Sequence, residues 1–149
     1  MDWLGRRVIL ISGTTLSVVA LIALGFYFEL PGFAKAYPWF GLACVIAYIA
    51  GFAFSLGPVF WLMISEIFPL AHRSKAMAVC TIVNWAANFI VSYFFLQQVA
   101  AIGKPATFWI YAAIGVFAIG FIWLRVPETR GKPLEQIEEE VGARPQKAA

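Results

Sequence analysis

The sequence has 149 residues, of which 62% are hydrophobic and only 13% are charged. A soluble domain of this length could not bury so much apolar surface, so the composition excludes a water-soluble fold and predicts a protein embedded in the lipid bilayer. The net charge of +3 comes from basic residues scattered at the ends of apolar runs, without a stripe or a basic arm. We therefore predict no nucleic-acid partner.

Charged residues divide the chain into four uncharged runs, each long enough for one helix to cross the hydrocarbon core, which takes about 20 residues. The alternating pattern that is typical of strands in a membrane barrel is absent. We therefore predict an all-α, polytopic membrane protein. Residues 1–7 form a cytoplasmic loop motif, 8–126 a four-span membrane domain, and 127–149 a cytoplasmic tail with a short amphipathic helix. The four predicted spans are 8–28, 38–64, 76–99 and 105–126.

The distribution of Lys and Arg predicts the orientation of these spans. The two termini and the middle loop together hold nine of these residues, whereas the other two loops hold only Lys35 and Lys104. Because cytoplasmic loops carry the excess of positive charge, we predict that both termini are cytoplasmic. The loop Leu30–Tyr37 and the loop around Lys104 then face outside. The predicted location is the cell (plasma or inner) membrane.

The second predicted span contains Gly57-Pro58, a pair that bends or breaks a helix because proline lacks an N–H and clashes with the preceding turn. Such breaks are tolerated where neighbouring helices or a cavity satisfy the freed carbonyls, and in transporters they tend to lie near the substrate. A passive kink is the alternative. Trp61 is open to two interpretations in the same way, as a substrate contact or as an interfacial anchor.

The third predicted span carries three polar residues on one helical face, because Asn84, Asn88 and Ser92 are each four residues apart. One interpretation is that they join helices by hydrogen bonds, and the other is that they line a hydrophilic cavity. Trp85 lies beside Asn84, and an amide next to an indole suits a sugar. The amide can donate to and accept from hydroxyls, while the ring covers an apolar C–H face.

Acidic and basic residues lie close together at three separate cytoplasmic span ends. Acidic residues contribute little to topology, so their presence favours a structural role. Opposite charges that meet across helix ends can hold a gate closed, and partial exposure keeps each pair weak enough to break. The alternative is topology signalling with solvated ends. The residues are Asp2, Arg6, Arg7, Glu66, Arg73, Glu128 and Arg130.

Four stretches carry motifs in a fixed order: Asp2–Arg7, Gly57–Trp61, Glu66–Arg73 with Asn84–Asn88, and Pro127–Gly131. Their patterns are Asp-x-x-Gly-Arg-Arg, Gly-Pro-x-x-Trp, Glu-x-x-Pro with a later Arg and then Asn-Trp-x-x-Asn, and Pro-Glu-Thr-Arg-Gly. Together they resemble the sugar porter family of the major facilitator superfamily, from the start of its ninth span to the signature after its last. The resemblance extends from Asp2 to about Val141.

The resemblance implies that the chain corresponds to the last four spans of a twelve-span major facilitator fold, with the N-terminal part of the same transporter missing. It implies transmembrane transport of a monosaccharide or polyol by alternating access, and we expect neither enzymatic activity nor a cofactor or metal. By the same resemblance, the sugar-binding residues are Phe52, Gly57, Trp61, Asn84, Trp85 and Asn88, and the gating charge network is Arg6, Arg7, Glu66, Arg73 and Glu128.

Three positions depart from the common pattern of the family. Asn84 stands where some members have Gln, so its shorter amide leaves the particular sugar open. Arg130 replaces the usual Lys, which keeps the charge and changes its geometry. Phe60 makes the break motif more similar to that of bacterial sugar–proton symporters, which favours proton coupling.

Two other functions remain open at the level of the sequence. The first is a stand-alone four-span scaffold or regulatory membrane subunit. This function predicts that Asn84, Asn88 and Trp61 satisfy one another's hydrogen-bonding groups. The second is a sugar sensor that does not transport, which would usually need a longer cytoplasmic tail than this chain has.

Overall fold

The computed structural model describes residues 5–68 and 70–126, and this part of the chain is helical throughout, with short connections. Four stretches are long and apolar enough to cross a membrane: Arg6–Glu29, Pro38–Ile67, His72–Ile102 and Lys104–Arg125. The predicted fold class, an all-α protein with four membrane-spanning helices, is confirmed. The helices are α1 Arg6–Glu29, α2 Pro31–Ala36, α3 Pro38–Phe54, α4 Pro58–Ile67, α5 Leu70–Ile102 and α6 Lys104–Arg125.

The helix boundaries follow from proline and glycine. Proline occupies the first or second position of α2, α3, α4 and α6, where its missing N–H removes no helical hydrogen bond. Gly103 joins α5 to α6 with a φ of 84°, a conformation that glycine adopts without steric cost. Its N–H donates to the carbonyl of Val99 at 3.0 Å, and its own carbonyl accepts from the N–H of Thr107 at 3.2 Å.

Three regions differ from a simple pattern of loops and straight spans. The segment predicted to be an outer loop, Leu30–Tyr37, contains the short helix α2, because Pro31 can start a helix. The second span is divided into α3 and α4 around Ser55–Gly57. The helix of the third span, α5, has 33 residues and extends beyond the predicted span 76–99 at both ends.

α1 is the centre of the bundle and packs most extensively against α6 and α3. Half of the most apolar 18-residue stretch of α1 is buried, whereas no residue of the corresponding stretch of α5 is buried. The core near the start of α1 consists of Ile9, Leu10, Val59, Met63 and Ile122. α1 therefore holds three of the four spans together.

α5 is the peripheral helix of the described part of the chain. It packs against α6 and, less extensively, against α4. A cleft of about 490 Å³ lies between α5 and the other spans, lined by residues of α1, α3, α5 and α6. This arrangement leaves most of the α5 surface exposed, including the part with the polar residues.

Candidate functional site

The cleft is mainly apolar, with a few polar side chains on its walls. Two of the predicted sugar-binding residues, Phe52 of α3 and Asn88 of α5, line it. Its other polar positions are Thr14, Ser17, Tyr48 and Tyr111. The hydroxyl groups of Thr14 and Ser17 donate to backbone carbonyls of Leu10 and Tyr48 at 2.7 and 3.3 Å. Asn88 is therefore the amide that the described part of the chain presents to this space.

Asn84 and Asn88 form a pair along one face of α5. Nδ2 of Asn88 donates to the backbone carbonyl of Asn84 at 2.9 Å and lies 3.2 Å from its Oδ1. Asn88 is exposed and Asn84 is partly exposed. Within the described residues, Oδ1 of Asn88 and Nδ2 of Asn84 have no protein partner, so an acceptor and a donor remain for hydroxyl groups.

The two predicted tryptophan contacts lie outside the lining of the cleft. Trp85 of α5 is 68% exposed. Trp61 of α4 is partly buried against Phe60, with ring centroids 5.3 Å apart and an interplanar angle of 71°. Among residues 5–68 and 70–126, no hydrogen bond joins Trp61 to Asn84 or Asn88. A stand-alone scaffold predicts that these three side chains hydrogen-bond to one another, but the described residues show such bonds only between the two asparagines.

The break in the second span has a defined hydrogen-bond pattern. The carbonyl of Phe52 accepts from the N–H groups of both Ser55 and Gly57, at 3.3 and 3.0 Å. Ser55 is fully buried, and its hydroxyl donates to the carbonyl of Gly51 at 2.8 Å. Pro58 then begins α4, because it cannot donate to the carbonyl four residues earlier. Phe52 and Gly57 thus lie at the two edges of one break.

The described members of the charge network connect the ends of four helices, α1, α4, α5 and α6. Nη2 of Arg6 lies 2.9 Å from Oε1 of Glu66, and each side chain is about one-fifth exposed. Arg7 donates to the carbonyl of Trp123, one of the carbonyls that the end of α6 leaves free. Nε of Arg73 donates to the carbonyl of Phe68 at 3.4 Å. Glu128, the remaining predicted member, lies outside the described residues.

A polar contact between the third and fourth spans was not predicted from the sequence. The hydroxyl of Tyr111 donates to Oε1 of Gln98 at 2.9 Å. The available signal was a glutamine inside a long apolar run, since a polar group at membrane depth needs a partner. Among the residues that the structure describes, no three His, Cys, Asp or Glu side chains meet in a way that could hold a metal ion.

The fold and this site define a multi-pass helical membrane protein in which a peripheral helix presents amides beside a cleft. Residues 1–141 match the family described as "Sugar (and other) transporter". The chain is 40% identical over 141 residues to the facilitated trehalose transporter Tret1 of Bombyx mori, covering 93% of this chain and 28% of that protein. It is 38% identical over 146 residues to the D-xylose-proton symporter of Escherichia coli, with 93% and 28% coverage.

A solved structure supports the same conclusion. The inward-open xylose transporter XylE of E. coli superimposes with a TM-score of 0.83 at 37% identity, covering 94% of this chain and 31% of that one. The chain therefore belongs to the sugar porter family of the major facilitator superfamily. It spans less than a third of the length of these relatives, and their names describe transporters, not enzymes.

Proposed function

We propose that this chain is the C-terminal portion of a transporter that moves a monosaccharide or polyol across the cell membrane by alternating access. The observation that carries the proposal is the Asn84–Asn88 pair, with Asn88 exposed on the lining of an open cleft, in a chain of the sugar porter family. An amide pair at membrane depth costs free energy unless it has polar partners, and sugar hydroxyls can both donate and accept.

The sugar-facing surface that we propose combines Phe52, Gly57 and Trp61 of the second span with Asn84, Trp85 and Asn88 of the third. The supporting geometry is that Phe52 of α3 and Asn88 of α5 both line the cleft. Leu56, within the break that ends at Gly57, also lines the cleft. Trp61 and Trp85 belong to the proposal by family resemblance. Their contacts with sugar require a partner surface from the rest of the transporter.

The charge network is proposed as the cytoplasmic gate, with both termini on the cytoplasmic side. The Arg6–Glu66 pair joins the start of α1 to the last turn of α4, and Arg7 holds the end of α6. Each pair is weak because its side chains are partly exposed, so a conformational change can break it at small cost. The uneven distribution of Lys and Arg supports the orientation. Similarity to a D-xylose-proton symporter supports proton coupling.

The DNA upstream of the first codon tests whether the chain is part of a longer transporter. We expect about eight further spans in the same frame. A stop codon and a ribosome-binding site directly upstream would contradict this and favour a stand-alone membrane subunit.

Replacement of Trp61 tests the proposed sugar-facing surface in the complete transporter. We expect Trp61→Ala to abolish measurable binding of the transported sugar, and Asn88→Ala to weaken it roughly tenfold, while the protein still inserts. The matched control is Trp39→Ala, since Trp39 is 64% exposed at the start of α3. Binding and uptake of labelled xylose, glucose, trehalose and a polyol provide the measurement. Normal affinity in Trp61→Ala would assign Trp61 to packing.

A further inference from the structure

The side chains that join α5 to α6 lie close to the Gly103 turn. The centroid of the Phe95 ring is 6.4 Å from that of the Phe108 ring and 6.2 Å from that of the Tyr111 ring. The Tyr111 hydroxyl donates to Oε1 of Gln98 at 2.9 Å. These are one directional hydrogen bond and two apolar ring contacts, which are less directional.

These contacts lie on the same face of α5 as the proposed sugar amide. Asn88, Val91, Phe95 and Gln98 are spaced at i, i+3, i+7 and i+10, which forms one stripe on a helix. Asn88, Val91 and Phe95 all line the cleft, and so does Tyr111 of α6. The rotation of α5 about its axis therefore determines both the Gln98–Tyr111 contact and the direction of Asn88.

We propose that Gln98 and Tyr111 are positioning residues, which fix the rotation of α5 and thereby direct Asn88 toward the cleft. This inference rests on the proposed function, because it is there that the amides contact sugar. A hydrogen bond is suited to this task because an alternative rotation would leave both polar groups without partners in an apolar environment. The rings alone would tolerate sliding and rotation.

The first experiment measures the position of α5 directly in this chain. Spin labels are placed at Ala87 of α5 and Ala113 of α6, both exposed, after Cys44 and Cys80 have been replaced by serine. We expect Tyr111→Phe and Gln98→Met each to broaden or shift the distribution of label distances measured by electron spin resonance in lipid nanodiscs. The double variant should have the same effect as either single variant.

The chain offers matched controls for both substitutions. Tyr93 and Gln97 are exposed on α5, and within the described residues neither side chain makes a hydrogen bond. Tyr93→Phe and Gln97→Met should therefore leave the distance distribution unchanged. A distribution that is equally unchanged in Tyr111→Phe and Gln98→Met would overturn the inference.

The second experiment connects the position of α5 to sugar recognition in the complete transporter. We expect Tyr111→Phe and Gln98→Met to raise the half-saturating sugar concentration about threefold, while the maximal rate is retained. If Asn88→Ala weakens binding and these two variants do not, the positioning role is wrong. If the label distances change but Asn88→Ala binds sugar normally, the proposed sugar surface fails, and only the positioning of α5 itself is supported.

Discussion

At the scale of single residues, glycine determines how closely α1 approaches α3. A Cβ atom on Gly13 would lie 2.6 Å from the carbonyl oxygen of Gly51, and one on Gly51 would lie 2.7 Å from that of Gly13. Ser17 and Ser55, each four residues further on, complete a small-residue contact between the two helices. Small residues at this spacing let helix backbones meet in a membrane, where packing replaces the hydrophobic effect between helices.

We expect Gly13→Ala to destabilise the chain by about 1–3 kcal/mol, because the added methyl group overlaps backbone atoms and Ser55, which is fully buried. The matched control is Gly120→Ala in α6, where an added Cβ has no neighbour within 4 Å. This control should leave stability unchanged or raise it slightly, since alanine favours helix over glycine. Unfolding of the purified chains in detergent, followed by tryptophan fluorescence, measures the difference. Equal stability of both variants would show that the contact can relax.

At the scale of the element, the second span is one membrane crossing built from two helices. The carbonyl of Phe52 takes two N–H donors, and Pro58 supplies none to the turn before it. The break therefore has a local cause in the sequence. Its consequence depends on its surroundings, because Ser55 is fully buried against α1 while the edge at Phe52 faces the cleft. One side of the break is thus packed against α1, and the other side faces the cleft.

We expect Pro58→Ala to straighten the second span, because alanine restores the missing N–H. A continuous helix would place residues 46 and 62 about 24 Å apart along its axis. Spin labels at these exposed positions, Ile46 and Leu62, measure this separation. The control is Pro38→Ala, since Pro38 begins α3 and removes no internal hydrogen bond. If Pro58→Ala leaves the separation unchanged, neighbouring helices and not the proline maintain the break.

At the scale of the whole molecule, α1 links parts of the chain that are far apart in sequence. Arg6 contacts Glu66 and Arg7 contacts the end of α6, so the start of α1 connects two other spans. Near its other end, Gly25 lies against the indole of Trp109, and Phe26 packs edge-on to the same ring at 4.7 Å. By contrast, α5 reaches α1 only through other helices in the described part of the chain. The structure therefore combines a tightly packed group, α1, α3 and α6, with a loosely attached α5.

We expect a double-mutant cycle of Arg6→Gln and Glu66→Gln to yield a coupling free energy of about 0.2–1 kcal/mol, decreasing as salt is added. The reason is that both side chains are partly exposed, so water and ions screen the pair. Glu29→Gln, an exposed acid at the end of α1 without an ion pair among the described residues, is the control. A coupling near zero at low salt would mean that the pair does not connect α1 to α4.

Much of the fold was predictable because the bilayer imposes a simple rule on the chain. A run of about 20 uncharged apolar residues must become one helical crossing, since only a helix satisfies its own backbone there. The break at Gly57-Pro58 and the shared face of Asn84 and Asn88 followed from local geometry. The helix α2 was missed, because a six-residue helix after Pro31 leaves no periodic signal. The Gln98–Tyr111 contact was missed because a single polar residue does not identify its partner.

The sequence by itself determined the number of membrane crossings, the break in the second span and the family, because each depends on a residue pattern that is local or short in range. Only the tertiary structure decided that α1 lies at the centre, that Phe52 and Asn88 face the same cleft, and that Trp61 and Trp85 do not line it. These properties depend on which helix faces pack together. Helix faces pack where backbones can approach closely, as Gly13 and Gly51 do. Such residues are far apart in the sequence, and their separation there does not predict their contact.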